Sequence, residues 1–178
     1  MSCRVLSPPA TSYNCTIAFC NEQITLVSGD SRIAPRARLP LHEEETATFR
    51  ILVVDDFEPW RRATCAALGQ HPDLQVVGEA TDGMEAIQRA QELKPDLILL
   101  DIRLPQLNGI EAAHRIEKLV PEAKVIFVTS NNNRDVVEAA LTNGAHGYVL
   151  KADGKSELLL VMRAVLRGEK VVSKSLKR

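Results

Sequence analysis

Short apolar runs recur through the last two-thirds of the chain and alternate with stretches of helical periodicity. The runs begin at Ile51, Val76, Leu97, Val125 and Tyr148, at intervals of 25, 21, 28 and 23 residues. Ile51–Val54, Leu97–Leu100 and Val125–Val128 are apolar throughout rather than alternating. Such runs suit strands buried on both faces, as in a parallel sheet covered by helices. Between them, EPWRRATCAALG places Trp60, Ala63, Thr64, Ala67 and Leu68 on one face of a helix. GMEAIQRAQEL, GIEAAHRIEKL, NRDVVEAALTNG and GKSELLLVMRAVLRG repeat that periodicity. Gly69, Gly144 and Gly168 stand where helix C-terminal caps are wanted. Five strand–helix repeats joined by right-handed crossovers predict a three-layer α/β domain over residues 50–168. It is a doubly wound parallel sheet. Periodicity leaves the strand order open.

The flanks do not share this pattern. Residues 1–49 hold Pro8, Pro9, Pro35 and Pro40, many Ser and Thr, and the acidic run Glu43-Glu44-Glu45. NEQITLVSGD (21–30) can form a lone strand, but nothing beside it would cover its apolar side. The expectation is a mostly disordered N-terminal extension. Residues 169–178, with Lys170, Lys174, Lys177 and Arg178, read as a basic C-terminal tail.

Composition narrows the classes. Apolar residues make up 45% and charged residues 25% of the 178, as in ordinary globular proteins. A net charge of -1 argues against bulk electrostatic binding to nucleic acid or membrane. No run approaches the roughly 18 apolar residues of a spanning helix, and no secretory signal is legible. A cytoplasmic protein is the default expectation. Cys3, Cys15, Cys20 and Cys65 lack the spacing of a zinc site and read as free thiols. His42, His71, His114 and His146 show no metal spacing and read as solvated surface.

The chemistry gathers at the strand ends. Parallel strands deliver their C-terminal ends to one edge of the sheet, where ligands bind. ILVV ends in Asp55-Asp56, LILL in Asp101, VIFV in Thr129-Ser130 and GYVL in Lys151. Three carboxylates at one edge repel each other. Mg²⁺ relieves this with oxygen ligands and leaves room for waters and phosphate oxygens. Lys151 adds a compact cation and Thr129 a hydroxyl donor. Together they suit phosphoryl transfer, which depends on positioning and charge stabilisation. Each residue alone has a plainer reading, as a helix cap, a loop aspartate or a solvated lysine. Four plain readings would have to coincide at four strand ends. Asn108-Gly109 reads as a turn, and Trp60 as packing at the site rim.

VVDD (53–56), LLDIRLPQLNG (99–109), VTS (128–130) and GYVLK (147–151) give the chain a family resemblance. It resembles the receiver domain of bacterial two-component response regulators over about 120 of its 178 residues. The resemblance implies a flavodoxin-like sheet in the order 2-1-3-4-5. It implies that Asp101 accepts a phosphoryl group from a sensor histidine kinase or phosphotransfer protein. Asp56 and Asp101 would ligate Mg²⁺ directly, Asp55 through water, and Arg103 through its backbone carbonyl. Thr129 and Lys151 would stabilise the phosphoryl group. Tyr148 would follow the movement of Thr129 as a switch. Arg103 and Asn131 occupy rim positions that tune phosphoryl lifetime in the family. The implied protein is a signalling phosphoacceptor that catalyses its own phosphorylation and dephosphorylation, not a turnover enzyme. Its output would pass to a protein partner or a homodimer through the face of the fourth helix, fifth strand and fifth helix.

The family usually has Pro after the lysine; here it is Ala152. A cis bond before a non-proline costs about 2.5–4 kcal/mol, so a trans bond is expected. Two other readings stand beside this one. LRGEKVVSKSLKR resembles the linker to a helix-turn-helix domain, so a truncated DNA-binding regulator is the alternative to a stand-alone receiver. DNA binding by the residues present is not expected. A haloacid-dehalogenase-type phosphohydrolase needs a second acid two residues after its nucleophile, and Arg103 stands there.

Overall fold

The structure, a computed structural model, describes residues 5–6, 15–20, 23–28, 48–130, 133–142 and 144–176. It divides into two units, Met1–Glu44 and Glu45–Arg178. In the first, β1 (Val5–Leu6), β2 (Cys15–Cys20) and β3 (Gln23–Ser28) form an antiparallel sheet in the order β1-β2-β3. A strand within 21–30 is therefore present, and paired, where the expectation is a mostly disordered extension. It pairs with CTIAFC, six residues each, from Cys15↔Ser28 to Cys20↔Gln23. The side chains of Cys3, Cys15 and Cys20, and His42, lie outside the described residues.

The second unit alternates strand and helix as the periodicity predicts. Its strands are β4 (Phe49–Val54), β5 (Leu74–Ala80), β6 (Leu97–Leu100), β7 (Lys124–Thr129) and β8 (Gly147–Leu150). Its helices are α1 (Glu58–Leu68), α2 (Gly83–Leu93), α3 (Gly109–Leu119), α4 (Arg134–Thr142) and α5 (Gly154–Leu166). A short sixth strand, β9 (Val171–Val172), lies beyond α5. All neighbouring strands in this sheet are parallel, in the order β5-β4-β6-β7-β8-β9. Counting from β4, the first five follow the flavodoxin-like order 2-1-3-4-5.

The apolar runs are continuous because each strand feeds two cores. Leu52, Val54, Ile98, Leu100, Phe127 and Tyr148 face the side holding Ala86, Ala90, Ala112, Ile116 and Ala140 of α2, α3 and α4. Ile51, Val53, Leu97, Leu99, Ile126 and Val149 face the side holding Leu68 of α1 and Leu158, Val161 and Met162 of α5. On α1, Thr64 and Leu68 are buried as predicted, whereas Ala63 is exposed.

The domain runs past the boundary that periodicity gives it. β9 pairs in parallel with β8, and Ser173 behind it is fully buried. The Ser173 N–H donates to the Tyr148 carbonyl at 2.9 Å, and Leu176 packs against the core. Within the segment read as a basic tail, Val171–Val172 is thus the edge strand of the sheet, with a 3₁₀ turn, Lys174–Leu176, after it. His146 is also corrected. Its Nδ1 accepts the Val125 N–H at 3.2 Å, and burial lowers its pKa.

Asn108-Gly109 is a helix start, not a turn. The Asn108 side chain caps α3 by accepting the Glu111 N–H at 2.9 Å. Gly109 presses against the backbone after β6, where a Cβ would overlap the carbonyl oxygen of Asp101. We expect Gly109→Ala to cost about 1–3 kcal/mol through overpacking against backbone. Urea unfolding measures this; an unchanged midpoint would contradict the close approach.

Candidate functional site

The carboxyl edge of the sheet brings the expected residues together. Asp55 follows β4, Asp101 follows β6, Thr129 ends β7, and Lys151 opens a short 3₁₀ turn, Lys151–Asp153, after β8. Asp55 and Thr129 are fully buried, Asp101 is 6% exposed, and Asp56 is exposed. Carboxylate oxygens of Asp55, Asp56 and Asp101 lie within 4.8 Å of one another. Arg103 is exposed at the rim, and its N–H donates to Asp101 Oδ1 at 3.3 Å. Asn131 lies outside the described residues.

Lys151 bridges two of the acids. Its Nζ stands 2.5 Å from Asp55 Oδ2 and 2.7 Å from Asp101 Oδ2. The Lys151–Ala152 peptide is trans, as expected, and the lysine still reaches both carboxylates. Loss of the family's proline therefore does not cost the lysine its reach. Asp55 Oδ1 accepts the Phe57 N–H at 3.0 Å. Its Oδ2 is buried with the Lys151 ion pair but no well-directed hydrogen bond. Burial raises the Asp55 pKa, against the lowering pull of Lys151. An under-satisfied buried oxygen beside two further carboxylates fits a hard divalent cation, which takes oxygen ligands only.

Tyr148 lies under the site, fully buried, with its ring 6.4 Å from that of Phe127 and tilted by 54°. Burial, helped by the Asp101 charge, pushes its phenol up to about 12. It stays protonated at neutral pH and can serve as a hydrogen-bond donor.

Two neighbours escape a reading of the sequence. Arg61 on α1 donates to the Asp55 carbonyl at 2.7 Å and pairs with Glu79 at 2.8 Å, bracing the loop that carries both acids. Lys155 on α5 donates to Thr64 Oγ1 at 2.5 Å and stands 3.6 Å over the Trp60 ring. Trp60 is the rim residue expected from sequence; the structure adds that Lys151 Nζ is also 5.0 Å from its centroid. The amphipathic pattern of α1 signals Trp60 and Thr64, but nothing local in the sequence links them to Lys155, 91 residues beyond Thr64.

Comparison with known proteins bears on the same residues. The model of the response regulator receiver domain matches residues 51–163. The chain is 40% identical over 124 residues to the response regulator protein VraR of Staphylococcus aureus, covering 70% of this chain. It spans only 59% of the length of that curated relative. A two-component response regulator of the LuxR family from Aurantimonas sp. SI85-9A1 superposes with a TM-score of 0.70 at 32% identity, covering 73% of this chain and 93% of that one. The isolated REC domain of RcsB from Salmonella enterica serovar Typhimurium, solved in the presence of phosphomimetic BeF3-, gives a TM-score of 0.70 at 25% identity, covering 74% and 97%. Among the described residues no helix is long and apolar enough to cross a membrane. With a family model spanning well over half its residues, the chain belongs to the response regulator receiver domain family.

Proposed function

We propose that this chain accepts a phosphoryl group on Asp101 from the phosphohistidine of a sensor kinase or phosphotransfer protein, in a Mg²⁺-dependent reaction. The observation that carries the reading is the Lys151 ammonium held between Asp55 and Asp101 beside a third carboxylate. Asp56, Asp101 and the Arg103 carbonyl would hold the ion directly, and Asp55 through water. When bound, Mg²⁺ supplies positive charge against the phosphoryl oxygens.

The chain's own groups do the rest. An Asp101 carboxylate oxygen attacks phosphorus; an O–P bond forms as the P–N bond to imidazole breaks. The imidazole nitrogen keeps the electron pair and takes a proton from solvent. Lys151 turns from carboxylate to phosphoryl oxygen without leaving the site, because Asp101 Oδ2 is already 2.7 Å away. Thr129 donates its hydroxyl to the new phosphoryl group. Tyr148, one layer below on the neighbouring strand, registers that movement as the switch. Output would leave through the α4–β8–α5 face, to a protein partner or a second copy.

A radiolabelled phosphotransfer protein tests the donor class. Label is expected to move to this chain with Mg²⁺ and not with a chelator. Folded protein that stays unlabelled with Mg²⁺ and several such donors would overturn the reading.

A further inference from the structure

Lys155 is placed where a lysine is costly. It is the second residue of α5, at the helix end that disfavours cations. It is partly buried, and Lys151 repels it. Burial pushes its ammonium down to about 8; the charges of Asp55 and Cys65 oppose that fall and Lys151 adds to it. Something must hold it there.

That something is a socket on one face of α1. The Thr64 hydroxyl donates to the Trp60 carbonyl at 2.9 Å, which turns its oxygen lone pair to Lys155 Nζ at 2.5 Å. The Trp60 ring supplies the other wall, 3.6 Å from Nζ to the centroid. The same ring lies 5.0 Å from Lys151 Nζ. Trp60, Lys151 and Lys155 also line one small cavity of about 10 Å³, together with Val128, Val149 and Leu158. One indole is therefore within reach of two ammonium groups, and Lys155 holds it.

We propose that Lys155, seated against Trp60 and Thr64, is a positioning residue that keeps the Lys151 ammonium on Asp55 and Asp101. It fills the aromatic face that Lys151 would otherwise share, and its charge repels Lys151 towards the carboxylates. This rests on the phosphoacceptor reading, in which Lys151 must meet the phosphoryl group. The trans peptide at Ala152 makes such a positioner useful, since no proline ring stiffens the turn that carries Lys151.

The test compares Lys155→Met, Lys155→Gln and Lys155→Arg in the full chain, each checked for folding by circular dichroism. Phosphorylation by acetyl phosphate with Mg²⁺ is followed against pH, and the Lys151 side-chain resonances are followed by NMR. Both neutral variants should phosphorylate about three- to tenfold more slowly at neutral pH, the effect of losing about one cation–π-scale interaction. Lys155→Arg should stay within about twofold of wild type, as it retains the charge. The groups whose charge or hydrogen bonds act on Lys155 are Asp55 from the loop after β4, Thr64 and Cys65 from α1, and Lys151 from the turn after β8. As pH rises through about 8, wild-type Lys155 loses its proton, so the Lys151 resonances should shift there. In Lys155→Arg that shift should be absent. Folded neutral variants with wild-type rates, or an arginine variant as slow as they are, would overturn the proposal. If wild type accepts no phosphoryl group at all, the phosphoacceptor reading fails. The Lys151 resonances then still decide whether Lys155 positions it.

Discussion

Asp101→Asn is expected to abolish phosphoryl acceptance and, in metal-free buffer, to raise the stability of the fold. The carboxylates of Asp55, Asp56 and Asp101 sit within 4.8 Å of one another with Lys151 as their close cation. Two like charges at that spacing repel by roughly 3 kcal/mol at an effective dielectric near 20. Asn removes one charge while keeping the shape. The Asp101–Lys151 pair is lost, but Lys151 keeps Asp55 at 2.5 Å, so no buried charge is stranded. A net gain of about 1 kcal/mol is expected after that loss is set against the relieved repulsion. The gain should shrink in Mg²⁺, since an ion held by the three acids would neutralise the wild-type cluster. Thermal unfolding with chelator and with Mg²⁺ measures both. A variant less stable than wild type in chelator would show that the three acids are not in conflict.

Lys151→Met should do the opposite. It strands Asp55, which is fully buried, and Asp101, which is 6% exposed, without their shared cation. Removing one partner of a buried pair costs about 3–5 kcal/mol. Lys151 itself is 13% exposed, which places the expected cost near the lower end, about 3 kcal/mol. The acidic cluster should then depend on the ion. Mg²⁺ is expected to restore more stability to this variant than to wild type, because it replaces a missing positive charge. Urea unfolding with and without Mg²⁺ is the check. Equal Mg²⁺ responses in the two proteins would mean that lysine and ion do not share the same carboxylates. Phosphorylation of the variant should be slow even when Mg²⁺ has stabilised it, since the phosphoryl group would lack its ammonium partner.

The repeating units are legible in the sequence because burial on two faces leaves a pattern that sterics cannot disguise. LILL is apolar at every position since Ile98 and Leu100 serve one core and Leu97 and Leu99 the other. The edge constellation is legible for the same reason: a polar residue ending such a run must emerge at the carboxyl edge. Strand order is not carried by periodicity and comes only from the resemblance. β9 escapes the pattern because two residues cannot show a period. Val171-Val172, a β-branched pair shortly after Gly168, is its one local signal. Asn108-Gly109 reads as a turn because turns and N-caps use the same residues; the helical run GIEAAHRIEKL, which Gly109 begins, decides for the cap. Lys155 has no local signal at all, since its partners lie on a helix far away in sequence.

The central claim is that Asp101 is the phosphoryl acceptor. Wild type is incubated with Mg²⁺ and acetyl phosphate, reduced with borohydride, and mapped by peptide mass spectrometry. An aspartyl phosphate is an acyl phosphate, and borohydride converts it to homoserine, marking the acceptor. Homoserine at position 101, absent without Mg²⁺ and absent in Asp101→Asn, is the expected result. Homoserine at another aspartate, or none in folded protein with Mg²⁺ bound, would contradict it.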